Sequence, residues 1–208
     1  MAVTRIANPY LDYFVSLPLE CRRDPRVPLD DRELSSPQWL QFKADVARTY
    51  AWAVPTREAI EAIACRAPRI VEVGAGSGYW AWLLAQAGVD VVAIDPAPPV
   101  APWYPVQLGT ELDAAWHADR TLFLCWPPWA TDMAFNTLSI HRGDQVVYVG
   151  EWHGGNAEPK FFSLLEREYE QVERVEIPQW FMRADELTIW RRRATPGSAE
   201  RAPGAAST

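Results

Sequence analysis

The stretch richest in chemical content is Ile70-Val71-Glu72-Val73-Gly74-Ala75-Gly76-Ser77-Gly78-Tyr79-Trp80, followed after a helical interval by Val91-Val92-Ala93-Ile94-Asp95. Read physically, it is an apolar strand, a turn with three alternating glycines, a helix, and a second strand that closes on an acid. Glycines let a backbone pass close to a bound ligand and open a helix whose first amides face it. An acid at the end of the next strand can accept both hydroxyls of a ribose. A tight strand-to-helix turn without a ligand needs neither the alternation of glycines nor the terminal acid, so a nucleotide-like ligand is expected here.

This segment resembles the first motif of class I S-adenosylmethionine-dependent methyltransferases, in which an acid stands two residues before a G-x-G-x-G loop and another acid closes the following strand. Glu72, Gly74, Gly76, Gly78 and Asp95 match it position by position. The resemblance spans roughly residues 69–193 and is strongest in its first half. It implies S-adenosylmethionine as cofactor, with the loop, Ala75 included, against its methionine and ribose portions and Asp95 on the ribose hydroxyls. Glu72, Cys125 and Tyr50 complete the implied cofactor site. The implied fold is a three-layer α/β Rossmann-like domain with a mostly parallel seven-stranded sheet. The alternatives are an NAD(P)-dependent Rossmann oxidoreductase and a protein that binds S-adenosylmethionine without catalysis. Against the oxidoreductase, Tyr79 stands where the third glycine of G-x-G-x-x-G belongs, and the chain has no Tyr-x-x-x-Lys pair.

Three further groups carry possible chemistry. Leu122-Phe123-Leu124-Cys125 runs into Trp126-Pro127-Pro128-Trp129, an aromatic, proline-rich turn at the strand end that faces the ligand. This turn resembles the Asp/Asn/Ser-Pro-Pro-aromatic loop of amino-methyltransferases, with Trp126 in place of the polar residue; the resemblance implies an acceptor wall in which Pro127 offers its carbonyl and Trp129 stacks on the acceptor. Glu151, Trp152 and His153 follow the apolar run that ends at Val149. A histidine near its ordinary pKa can take a proton, so His153, oriented by Glu151, is the candidate acid/base and Trp152 a candidate acceptor contact. Tyr50 and Trp52 precede the core where related enzymes fold a lid. His117 and His141 receive no role.

These residues need elements to position them. Strands are expected at 70–73, 89–94, 106–108, 121–125, 145–149, 172–177 and 186–191, with helices at 78–87, 111–117, 132–140 and 159–169. Gly88, Gly143 and Asp144 suit turns. Before the core, residues 1–68 read as a helical extension or lid. Within it, Ser36-Pro37 starts a helix to about Ala51, Thr56 caps a second helix through Glu58, Ile60, Ile63 and Ala64, and 21–34 reads as a loop. The core spans 69–193, and residues 194–208, poor in large apolar groups, read as a disordered tail.

Composition narrows the classes. At 208 residues with 49% hydrophobic content the chain can bury one sizeable core. A formal charge of -7 disfavours nucleic-acid and membrane partners and leaves a small molecule as the expected acceptor, a peptide second. The start lacks a secretion signal and no run is long enough to span a bilayer, so a cytoplasmic protein is expected. Cys21, Cys65 and Cys125 show no metal-ligand spacing, and no metal is expected. Eleven tryptophans are too many for the core alone, so some are expected in a ligand cleft.

Overall fold

The computed structural model describes residues 6–22 and 37–194. Ser36 as a helix cap, most of the 21–34 loop and the 195–208 stretch lie outside these residues. Seven strands, β1 (Arg69–Val73), β2 (Asp90–Asp95), β3 (Val106–Leu108), β4 (Thr121–Cys125), β5 (Gln145–Glu151), β6 (Tyr169–Glu176) and β7 (Asp185–Arg192), form one sheet in the order β3-β2-β1-β4-β5-β7-β6. The first five run parallel, and β7 lies antiparallel between β5 and β6. The order reverses between β1 and β4, which opens a crevice at their carboxyl ends.

Strand alternation sorts the side chains into two layers. Ile70, Phe123, Val147 and Ile189 join the apolar cluster of α1 (Pro9–Ser16), α2 (Pro37–Thr49), α3 (Arg57–Arg66) and α4 (Tyr79–Gln86). Val71, Leu122, Val146 and Tyr148 point to the other face, toward α5 (Met133–Ile140) and α6 (Pro159–Glu168). Among the described residues no helix is long and apolar enough to cross a membrane.

Most boundaries fall within two residues of expectation, and the departures have local causes. The expected 111–117 helix is a 3-10 segment, started by a capping box between Thr110 and Asp113. β5 continues to Glu151 because Asp185 of β7 pairs with it. β6 starts at Tyr169, paired with Arg192, and carries an irregularity between Gln171 and Glu173 that obscures its alternation. Helix α1 was not expected. Its signals are short: Asn8 accepts the Leu11 amide at 3.1 Å, Pro9 occupies the first turn, and Tyr10 and Phe14 bury one face.

The extension packs into the core. The Tyr10 ring stacks on Tyr50 at 4.8 Å, its amide donates to the Tyr79 hydroxyl at 2.9 Å, and its own hydroxyl accepts from Trp180 Nε1 at 2.9 Å. Tyr79 donates in turn to Asn8 Oδ1 at 2.8 Å.

Gly78 shows how tightly this is built. It starts α4 at φ +71°, and a Cβ there would sit 3.0 Å from the Tyr104 carbonyl oxygen. Gly78→Ala should therefore lose at least about 1–2 kcal/mol from the left-handed backbone alone. Urea unfolding measures this, and a loss below about 0.5 kcal/mol, the scatter of neutral surface changes, would show that the turn relaxes.

Candidate functional site

The loop after β1 is folded back over the end of β2. The amides of Gly74 and Ala75 both donate to the Ile94 carbonyl, at 2.9 and 3.0 Å, and the Gly76 amide donates to Asp95 Oδ2 at 2.8 Å. Asp95 Oδ1 accepts from the Ala97 amide at 2.8 Å, which fixes the carboxylate from both sides. Gly74, Gly76 and Gly78 all have positive φ. The loop is tied to the extension through Ser77, whose hydroxyl donates to the Tyr50 carbonyl, and through Trp103, whose Nε1 donates to the Thr49 carbonyl at 2.7 Å.

These contacts frame a cleft of about 480 Å³ at the crevice between β1 and β4. Of the expected cofactor residues, Glu72, Gly74, Ala75, Gly76, Asp95, Cys125 and Tyr50 line it. Gly78 does not; a Cβ there would meet the Tyr104 backbone and the Val106 side chain. Trp52, Trp80 and Met133 contribute the apolar wall, and Thr110 and Glu111 the far rim.

Glu72 is the most unusual group in the cleft. Strand alternation places it on the same face as Ile70, it is 2% exposed, and its Oε2 has no hydrogen-bond partner. Burial pushes its carboxyl up to about 8, with a backbone hydrogen bond to Ala81 opposing and Asp95 adding. Burial likewise pushes the Cys125 thiol up, reinforced by Glu72.

Only part of the expected acceptor wall comes together. Trp126 and Pro128 line the cleft. Trp126 has a left-handed backbone at φ 52°, and its Nε1 donates to Asp185 Oδ1 at 2.7 Å. Pro127 is turned inward and its carbonyl accepts the Ala157 amide at 3.0 Å, so it is engaged in fold closure instead of offered to an acceptor. Trp129 is 55% exposed and outside the cleft wall. Trp152 packs in the α5–α6 layer, stacked on Trp190 at 5.1 Å and against Phe162 at 4.9 Å.

The acid/base pair is also corrected. The His153 ring lies 4.5 Å from that of Phe162 on α6, its Nε2 is 3.7 Å from Glu166, and it takes no part in the cleft wall. Glu151 is buried on the opposite layer, where its carboxylate accepts the Gly155 and Ala184 amides at 3.1 and 3.0 Å and lies 3.5 Å from Arg183. The strand ends at Glu151 and the chain turns there, with a left-handed backbone at His153 (φ 51°), so the two side chains reach different layers.

Sequence reasoning missed Lys43, Trp180, Arg183 and Asp185, which gather beside the cleft. Lys43 is 4% exposed; its ammonium donates to the Trp52 carbonyl and lies 4.4 Å from the Trp180 ring centre. Burial lowers its pKa, with Asp185 opposing and Arg183 adding. Burial raises that of Asp185, with Lys43 and the Trp126 hydrogen bond opposing. The four come from α2, β7 and the segment between β6 and β7, and nothing in their spacing announces the meeting. Among the described residues no group of His, Cys, Asp and Glu is placed to hold a metal ion.

The site permits a pH test. A carboxyl raised in the fold contributes most to stability below its ordinary value of 4.5, and that contribution is lost as pH rises through about 8. The wild type should therefore lose stability relative to Glu72→Gln from about pH 5 to about pH 9, on the order of 2–4 kcal/mol for a fully buried group. Denaturant melts at several pH values measure the difference; parallel curves would mean Glu72 is ionised throughout.

Neither a family model nor a curated protein matches the chain. Solved structures do. A Burkholderia thailandensis 1,6-didemethyltoxoflavin-N1-methyltransferase, with bound 1,6-didemethyltoxoflavin and S-adenosylhomocysteine, aligns at TM-score 0.51 and 16% identity over 82% of this chain and 97% of its own. A Bradyrhizobium japonicum N-methyltransferase in complex with S-adenosylhomocysteine aligns at TM-score 0.46 and 14% identity over 90% and 100%. A 23S rRNA methyltransferase aligns at TM-score 0.41 and 16% identity over 68% and 70%.

Proposed function

From a fold that is the Rossmann-like fold of class I methyltransferases, we propose that the chain is an S-adenosylmethionine-dependent methyltransferase acting on a small-molecule acceptor. The observation that carries this reading is the cleft at the strand-order reversal, where the glycine loop lies between two carboxyl groups, Glu72 and Asp95.

That charge pattern fits the cofactor and opposes the alternative. S-adenosylmethionine brings a sulfonium and an ammonium, both cations, to a site that holds an unpartnered buried carboxyl oxygen of Glu72. A pyrophosphate, which a nicotinamide dinucleotide needs to seat on this same loop, would meet the Glu72 carboxyl instead; Asp95 does not discriminate, since a dinucleotide site also closes its second strand on an acid. Tyr79, fixed by Tyr10 and Asn8 at the start of α4, also fills the place where a dinucleotide fold needs a third glycine.

The roles of the residues follow from where they stand. Gly74, Ala75 and Gly76 provide the backbone surface against which the nucleoside and amino-acid parts would lie. Asp95 would hold the ribose: each of its oxygens already accepts one backbone N–H and has a second lone pair to offer. Glu72 would face the cationic end, and Tyr50, Trp52 and Met133 exclude water from the cleft. Cys125, its thiol held neutral by burial, contributes packing and not charge. When bound, the cofactor supplies an activated methyl group for in-line displacement, so the chain's own task is alignment and desolvation. No base is assigned. The same site without an acceptor would serve a protein that binds S-adenosylmethionine only, and turnover distinguishes the two.

Three binding measurements test the reading. Asp95→Ala should weaken S-adenosylhomocysteine binding by about 1–3 kcal/mol, the usual cost of hydrogen bonds to a charged group. Titration of the wild type with NADH in the same calorimeter should give no heat of binding; saturable NADH binding with none for S-adenosylhomocysteine would sink the proposal. A cation beside Glu72 should also drive its proton off, so S-adenosylmethionine binding near pH 7 should release a proton, seen as a binding heat that varies with the ionisation enthalpy of the buffer.

A further inference from the structure

Trp52 and Trp126 stand between two spaces. They line the main cleft, and they also border a smaller cavity of about 210 Å³ beside it. Their rings are stacked at 5.5 Å with 23° between planes. A buried side chain is ordinarily held by the atoms packed around it, and a wall with a space on either side gives up part of that support. Directed bonds have to supply what packing does not. From this arrangement, and resting on the reading of the main cleft as a cofactor site, we infer that Asp185 is a positioning residue for that site: its carboxylate aims the Trp126 indole, and with it the stacked Trp52 ring, into the cleft wall.

The geometry of the bond fits this role. An indole N–H is a donor with a single direction, so the group that accepts it sets the rotation of the whole ring. Asp185 Oδ1 accepts Trp126 Nε1 at 2.7 Å, a distance in the range of charge-assisted bonds. The start of the side chain is fixed by another route. The Trp126 amide donates to the Val149 carbonyl at 2.8 Å, and the backbone is left-handed at φ 52°, which is unfavourable for a bulky residue and needs its surroundings to hold it. Asp185 is itself a firm anchor. It is the first residue of β7, it pairs with Glu151 of β5, and its carbonyl accepts Gln179 Nε2 at 3.1 Å.

The anchor also costs the fold stability, which separates it from ordinary packing. Asp185 is fully buried, and its second oxygen, Oδ2, has no hydrogen-bond partner. Burial raises its pKa and Glu151 adds to the rise, against the opposing effects of Lys43, the Trp126 bond and Arg183. An apolar residue of similar size would carry no such penalty. What it could not do is accept the indole N–H. The other ring of the wall is fastened as well: the buried Lys43 ammonium donates to the Trp52 carbonyl and lies 5.6 Å from the Trp52 ring centre. The wall thus joins Trp52 of the extension to Trp126 of the turn after β4, with anchors from α2 and β7.

Calorimetry with S-adenosylhomocysteine tests this as a double-mutant cycle. Asp185→Leu, which keeps the volume and removes the acceptor, and Trp126→Phe, which keeps a ring and removes the donor, should each weaken binding by about tenfold, the scale of a lost hydrogen bond to a charged group. The double variant should bind no more weakly than Trp126→Phe alone. Asp185→Asn, which still offers an oxygen to the indole, should stay within about threefold of the wild type. A second readout follows the ring itself. In protein labelled with fluorotryptophan, the fluorine signal absent from Trp126→Phe belongs to Trp126; it should shift when S-adenosylhomocysteine is added, and shift or split in Asp185→Leu while holding its place in Asp185→Asn. Where Asp185→Leu does not fold, Trp126→Phe, Asp185→Asn and the fluorine signal carry the test. Unchanged affinity in Trp126→Phe or in a folded Asp185→Leu, losses that multiply in the double variant, Asp185→Asn binding as weakly as Asp185→Leu, or a Trp126 signal indifferent to the ligand would overturn the inference. Failure of the wild type to bind S-adenosylhomocysteine would instead overturn the reading of the main cleft.

Discussion

The fold of the glycine loop over the end of β2 is the constraint on which the site depends. One carbonyl, that of Ile94, accepts two amides, and one carboxylate, that of Asp95, accepts the amide of Gly76. Those bonds can form together only because the loop residues take left-handed φ values, which glycine adopts without steric cost. With the loop turned back, the crevice between β1 and β4 acquires a floor of bare backbone, and α4 starts from a fixed point. Everything placed around the cleft, including the Glu72 carboxyl below it and Tyr50 above it, is referenced to that turn.

Aromatic residues of the extension, Tyr50 and Trp52, wall part of this crevice. Tyr10, Tyr50 and Tyr79 contact one another in stacked and edge-on pairs, and hydrogen bonds from Tyr79 and Trp180 fasten that group to α1. Each contact is worth about 0.5–1.5 kcal/mol beyond its burial, so the set fastens the helices of the extension to the sheet. The extension and the sheet share one apolar cluster, and the segment from Tyr50 to Trp52 is carried with them to the cleft rim.

Trp126 marks where this chain departs from the amino-methyltransferase pattern. A polar residue there would face an acceptor nitrogen; the indole N–H is instead given to Asp185, and the next carbonyl, of Pro127, closes on Ala157. Lys43 and Arg183, brought from other elements, line the neighbouring space that Trp52 and Trp126 also border. The turn resembles its counterpart in sequence while its hydrogen-bonding capacity is spent within the fold.

The sequence by itself determined the parallel sheet, the position of nearly every strand and helix in the core, and the glycine-loop wall of the cleft. These are local matters: alternation and 3.6-residue periods report burial, and Gly74, Gly76 and Asp95 act through backbone geometry fixed within a single strand–turn–helix–strand unit. It misled at Glu151, Trp152 and His153. Adjacency on a loop suggested a shared direction, whereas pairing with β7 carries β5 to Glu151 and a turn with a left-handed backbone at His153 then sends Trp152 and His153 against Phe162. Helix α1 was missed although the Asn8 cap and Pro9 in its first turn are both local signals. Only the tertiary structure decided that Lys43, Trp126, Trp180, Arg183 and Asp185 meet. Their charges and rings are distant in the chain, and what joins them is the packing of α2 and the β6–β7 connection against one edge of the sheet, a long-range consequence of burying the apolar faces that no spacing in the sequence records.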